Sequence, residues 1–222
     1  ALDRSADYWS SICSWHAPNA QIRETFARQA IPMTWDFAEV NPFSDRMGSW
    51  QSMLKTTARA IPTLVTELPG ETAQRDARAR IAEVGQCVVS TDPPYYDAIP
   101  YADCSDFFYV WLRRMLVGLS DFKTDTELVS KADEIVQLAE RNERYRVKTK
   151  DWFEDRMKDA LEYSRCALRP NGLGVVLFAH KDTAAWEAML QSVLRAGWVV
   201  TSSWPIDTEN ANRMRASESA VL

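Results

Sequence analysis

Residues 92–97 read Asp-Pro-Pro-Tyr-Tyr-Asp, and their first four positions place two hydrogen-bond acceptors beside an aromatic face. The acceptors are the Asp92 carboxylate and the Pro93 carbonyl; the face is the Tyr95 ring. Val88 and Val89, just upstream, are a β-branched pair of the kind that forms a buried strand. Downstream, Phe107, Phe108, Val110, Trp111, Leu112, Met115 and Leu116 recur at helical spacing. A strand that runs into two prolines must stop, because neither ring can donate to a sheet ladder. The three groups are therefore held on a stiff turn at a strand's carboxyl end, which in open α/β sheets is the edge where ligands sit. By chance the four-letter string arises in about one chain of this length per thousand. The plainer alternative is a Pro-Pro turn that only ends a strand, with Tyr95 a half-buried aromatic.

The elements that must position this turn follow from periodicity. Strands are expected at 86–91, 173–179 and 198–204, and helices at 151–168 and 182–196, with Gly197 as the stop. Residues 168–178, Leu-Arg-Pro-Asn-Gly-Leu-Gly-Val-Val-Leu-Phe, look like a helix end, a Pro-Gly turn and a hydrophobic strand. This rhythm implies a parallel-type sheet with helices on both faces. Two helices fit 5–30, split by Ala17-Pro18-Asn19, and another fits 49–68. The region 31–50 suggests a structured loop or short helix, 74–83 a solvated helix or loop, and 118–150 a charged insert of two helical pieces. The expected domains are a mainly helical segment over 1–84 and a sheet-bearing half over 85–222.

An apolar fraction of 46% and nine tryptophans in 222 residues argue for a packed core. No stretch approaches 18 apolar residues and no signal peptide opens the chain, so a soluble cytoplasmic protein without membrane partners is expected. Cys13, Cys87, Cys104 and Cys166 form no CxxC pair and read as reduced thiols. The net charge of −5 lends no global support to nucleic-acid binding. The chain opens without Met and closes on Ser-Glu-Ser-Ala-Val-Leu, as an internal piece of a larger protein is expected to do.

Other motifs carry less. Gly172-Leu-Gly174 precedes a strand, so it reads as a turn and not as a cofactor cradle. Cys13-x-x-His16 lacks a second pair, and no metal site is expected. His180 and the pair Asp207 and Glu209 follow strands at the edge of Asp92, where cleft lining and plain surface fit equally. Arg141, Arg144, Arg146, Lys148 and Lys150 put five cations within ten residues. They form either a solvated face or a phosphate-contacting loop with Tyr145 free to stack on a base.

The segments from Phe26 to Phe43 (FARQAIPMTWDFAEVNPF) and from Asp92 to Asp103 (DPPYYDAIPYAD) resemble a family of adenine-specific DNA methylases of bacteria and archaea, many with a zinc ribbon. The likeness runs from about residue 7 to the end. It implies an Asp-Pro-Pro-Tyr amino-methyltransferase: an α/β fold with a partial nucleotide-fold (Rossmann-like) class I sheet, S-adenosylmethionine as cofactor and DNA as partner. The glycine-rich loop that grips the cofactor is not found in this chain, nor are the ribbon's cysteine pairs.

The resemblance also implies roles. An exocyclic amine is a poor nucleophile because its lone pair is delocalised into the ring. Hydrogen bonds from its NH₂ to Asp92 and to the Pro93 carbonyl favour a tetrahedral nitrogen and offset the charge that builds on it. Pro94 stiffens the turn, and Tyr95 stacks on the flipped base. By position in the chain and not by the resemblance, Tyr96, Asp97 and Tyr101 would wall the base pocket, and His180 would line it or stand at the surface. Arg144, Arg146 and Lys148 would meet phosphate if the cationic run is a binding loop and not a solvated face. N6 of adenine is the expected target, with N4 of cytosine the open alternative. Transfer to an RNA base or a protein amide, or a non-catalytic nucleic-acid-binding module, are the rival readings.

Overall fold

A computed structural model describes residues 1–64, 70–79, 87–119 and 124–206. Asp207 and Glu209 lie outside them, as do the end of the Arg-rich stretch (80–83) and the last part of the expected helix over 49–68. The chain divides into two units, Ala1–Gln74 with Tyr101–Ala132, and Arg75–Pro100 with Asp133–Leu222. The helix after the proline turn belongs to the first unit.

In the first unit, helix α1 (Leu2–Trp9) is followed by a hairpin, β1 (Ser14–His16) and β2 (Gln21–Arg23). The second helix expected within 5–30 is therefore a β-hairpin. Pro18 sits in a one-turn 3-10 segment and Ala20 takes a left-handed φ of 46°, which reverses the chain. A distant acceptor completes the override: the Asp7 carbonyl takes hydrogen bonds from the Thr25 backbone N–H and from its hydroxyl. Phe26 is thereby set against Phe107 and Phe108, with ring centroids 5.3 and 5.2 Å away. Helix α2 (Trp50–Ala60), capped by Ser49, tightens into a 3-10 turn at Ile61–Thr63, as Pro62 demands.

The second unit holds β3 (Val89–Thr91); helix α3 (Tyr101–Met115), next in the chain, belongs to the first. Helix α4 (Lys150–Cys166), β4 (Gly174–Val176) and helix α5 (Thr183–Arg195) complete the second unit. β3 and β4 pair in parallel, Val89 with Gly174 and Thr91 with Val176. Thr149 caps α4 and Asp182 caps α5, each accepting from a backbone N–H in the first turn. Phe153, Met157, Ala160 and Leu161 of α4 meet Ala185, Ala188, Met189 and Val193 of α5, with Val176 and Phe178 packed against them. Each large side chain buried there contributes about 1.5–3 kcal/mol, so this contact is the unit's main source of stability. The chain is thus a mixed α/β protein. No described helix is long and apolar enough to cross a membrane.

Three sequence expectations need correction. Residues 198–204 form no strand: Trp198 is pulled inward, and Val199 and Val200 are exposed. Among the described residues of the second unit, helices pack on one sheet face. Val176 and Phe178 pack on α4 and α5, but Val88, Val175 and Leu177 on the alternate positions stay exposed. The charged insert contains no α-helix among its described residues, only a 3-10 turn at Glu143–Tyr145. Long-range backbone bonds replace helical ones there, such as Leu138 N–H to the Lys148 carbonyl and Gln137 N–H to the Tyr96 carbonyl.

Trp198 shows how a helix stop reaches the sheet. Gly197 takes a φ of +79°; its N–H bonds Leu194 and the Trp198 N–H bonds Val193, closing α5 in a Schellman turn. The indole N–H then donates to the Leu161 carbonyl at 2.8 Å. Its ring lies over β4, where a Cβ on Gly174 would stand 2.2 Å from Cζ3. We expect Gly174→Ala to cost about 1–3 kcal/mol by overpacking. In a Trp198→Ala background most of that cost should vanish. Urea melts of the four proteins in this cycle measure it, and an undiminished cost would mean the indole is not the obstacle.

Candidate functional site

β3 and β4 run in parallel, so their carboxyl ends open on the same edge, and 92–97 and 178–182 meet there. Asp92 is exposed directly after β3, and the Tyr95 hydroxyl donates to its Oδ1 at 2.7 Å. The Tyr95 ring stands edge-on to Phe178, centroids 5.7 Å apart. Within the turn, the Tyr96 N–H bonds the Pro94 carbonyl and the Ala98 N–H bonds that of Tyr95. The Pro93 carbonyl accepts nothing among the described residues.

Tyr96 carries the strain of this turn. Its φ is +52°, a left-handed conformation that costs an L-residue about 1–2 kcal/mol. Packing holds it there, with the buried ring edge-on to Phe153 at 5.0 Å and to His180 at 6.0 Å. Burial pushes the Tyr96 phenol above its ordinary pKa, so it stays protonated and serves as a wall.

Asp97 is clamped at both oxygens. Its Oδ1 lies 2.8 Å from His180 Nε2, and its Oδ2 accepts from Arg141 Nη2 at 3.0 Å. The Asp182 N–H donates to His180 Nδ1 at 3.0 Å, so Nδ1 is bare and Nε2 carries the proton given to Asp97. The His180 carbonyl accepts from Trp186 Nε1 at 2.8 Å. The His180 side chain is only 6% exposed and both ring nitrogens are taken, so it acts inside the protein more than at its surface.

Of the expected site residues, Asp92, Pro93, Pro94, Tyr95, Tyr96, Asp97 and His180 come together. Tyr101 instead opens α3 in the first unit. Arg144 and Arg146 are exposed, as a phosphate contact requires. Lys148 is not. It is 2% exposed, donates from Nζ to the Glu134 carbonyl at 2.6 Å, and lies 5.5 and 5.2 Å from the ring centroids of Tyr145 and Trp152. Its assignment to phosphate is corrected, and so is that of Tyr145, which is buried beneath it and offers no face to a base. Arg141, grouped by sequence with the phosphate cations, is the partner of Asp97. Phe178, Asp182 and Trp186 were missed; the helix-capping Asp182 two residues after His180 was the available clue.

The Gly172-x-Gly174 pair does not fit a nucleoside-bearing cofactor. A Cβ on Gly172 would meet the Arg169 carbonyl at 2.8 Å, and the space over Gly174 is filled by Trp198. Among the described residues no three His, Cys, Asp or Glu side chains are grouped to hold a metal ion. Comparison with protein-family models, curated proteins and solved structures finds no match.

The burial of Lys148 separates it from its neighbours. Lys148→Ala should lower stability by about 2–3 kcal/mol, through a lost charge-assisted hydrogen bond and lost stem packing. Arg144→Ala with Arg146→Ala should stay within about 0.5 kcal/mol of the parent. Thermal melts decide; equal effects would place Lys148 at the surface after all.

Proposed function

We propose that this protein contributes the amine-receiving turn of an S-adenosylmethionine-dependent methyltransferase acting on an exocyclic amino group of a DNA base, N6 of adenine foremost. The partial nucleotide-fold sheet and the DNA partner belong to the same reading. The observation that carries it is the exposed Asp92 carboxylate beside the unbonded Pro93 carbonyl, at the carboxyl edge of a parallel strand pair. Two acceptors on one rigid turn match the two hydrogens of a planar NH₂. The Pro94 carbonyl already accepts from the Tyr96 N–H, which supports Pro93 as the second acceptor in this reading.

Each residue then has a task on the acceptor side. Asp92 and the Pro93 carbonyl draw the amine out of conjugation, and the carboxylate offsets the positive charge that grows on nitrogen. Tyr95 provides the stacking surface for a base turned out of the duplex. Its bond to Asp92 Oδ1 occupies one carboxylate oxygen and leaves Oδ2 for the substrate. The described residues do not form a cradle for the methyl donor at the Gly-x-Gly.

Labelled S-adenosylmethionine offered with DNA, RNA or protein to the full gene product tests the reading and separates its substrates. Asp92→Ala should lower kcat by roughly 10²–10³-fold while the melting temperature holds, because the carboxylate is exposed. Tyr95→Ala should lose about 1–3 kcal/mol of stacking. Tyr95→Phe should match or exceed the parent, since it keeps the ring and frees Oδ1. Normal methylation with Ala at 92, or an unfolded Asp92→Ala, would mean that the turn is only a strand end. Phosphate contact has its own measurement. Arg144→Ala with Arg146→Ala should reduce the slope of log K against log salt by about 2, and an unchanged slope would make them solvated surface.

A further inference from the structure

The side chains that hold the turn form a continuous polar chain of their own: Arg141 to Asp97, Asp97 to His180, His180 to the backbone N–H of Asp182. Its members come from three separate stretches of sequence, the loop after β3, the segment before α4 and the loop after β4. Asp97 and His180 are 83 residues apart, so this contact ties the ends of the two parallel strands together. The far end of the chain is fixed as well. Asp182 caps α5 through its side chain while its N–H serves His180, and Trp186 in the first turn of α5 holds the His180 carbonyl.

The near end bears on the turn at two adjacent residues. His180 hydrogen-bonds Asp97 and packs its ring on Tyr96, the strained left-handed residue. Two positions earlier on the same face of the extended chain, Phe178 meets the Tyr95 ring. A left-handed tyrosine persists only where its surroundings over-determine it. Here they do so through a ring contact, a backbone bond from Gln137 and a neighbouring carboxylate clamped on both oxygens.

We infer that Arg141, Asp97 and His180 are positioning residues that set the height and tilt of the Asp92–Tyr95 turn, and that none of them is a contact for the base. This inference rests on the proposed methyl transfer for its catalytic consequence, but not for its geometry. A neutral His180 protonated at Nε2 is required, because Nδ1 must accept from Asp182. Each oxygen of the Asp97 carboxylate is held by an internal donor, which fixes its orientation.

The geometry is tested first, without any methyl donor. The chain contains two histidines, His16 and His180, so ¹⁵N spectra of the histidine rings are assigned with a single His16→Gln variant. The Nε2–H tautomer of His180 is expected, with its ring proton protected from exchange; an Nδ1–H tautomer or a rapidly exchanging ring would overturn the relay. The functional arm compares kcat with KM. Asp97→Ala should lower kcat tenfold or more with KM within about twofold, and Asp97→Asn, which keeps an oxygen for His180, should recover most of the loss. Arg141→Ala, at the exposed end of the relay and safe for folding, should lower kcat three- to tenfold in the same direction. A raised KM at unchanged kcat would make Asp97 a substrate contact, and unchanged kinetics in all three variants would make the relay idle. If the parent protein transfers no methyl group to any acceptor, the methyltransferase reading fails, while the tautomer and exchange results still decide the relay.

Discussion

One short parallel pairing, Val89–Thr91 beside Gly174–Val176, is what the rest of the second unit depends on. Parallel strands expose their carboxyl ends on the same side, so whatever follows each strand must meet whatever follows the other. After β3 come two prolines, an aspartate and two tyrosines; after β4 come a phenylalanine and a histidine. The contacts of Tyr95 with Phe178, and of Asp97 with His180, follow from that register. A slip by one residue would turn Val176 and Phe178 away from α4 and α5 and dissolve both. Trp198 guards against such a slip, since its ring accepts only a residue without a side chain beneath it.

Charge in this unit is arranged for internal order. Lys148, Arg141 and Lys150 belong to a run that looks designed for an anion, yet each is engaged by the protein itself. Lys148 satisfies a buried carbonyl between two aromatic rings, Arg141 neutralises Asp97, and Lys150 pairs with Glu187 and Glu154. Of that run, Arg144 and Arg146 are the exposed cations with no ion pair among the described residues. The acidic balance of the whole chain agrees with so small a cationic face.

What could be read from sequence was what neighbouring residues determine. Prolines 93 and 94 end a strand wherever it sits, and Thr149, Asp182 and Gly197 bracket α4 and α5 by local bonding. The misreadings occur where a distant partner decides. Ile22 and Phe26 are four apart, as on a helix, but the Asp7 carbonyl captures Thr25 and leaves a hairpin. Val199, Val200 and their neighbours favour a strand by composition, yet Trp198 is committed to Gly174 and Leu161. Nothing near Lys148 announces its burial, since its acceptor is Glu134 and the partner of Arg141 lies 44 residues away. The acceptors on the turn were legible; the relay behind them was not.

The distance along the chain between β3 and β4 has a consequence for how the site comes into being. Thr91 and Val175 are separated by 84 residues, and closing a loop of that length costs about 4 kcal/mol of chain entropy. A three-residue ladder does not offset such a cost. The helical hairpin of α4 and α5 is local in sequence and forms without it, and β4 follows directly on α4. β3 pairs with β4 only at the cost of closing that long loop. The bonds inside Asp92–Asp97 are local, but Tyr95 meets Phe178 and Asp97 meets His180 only once the two strands are paired.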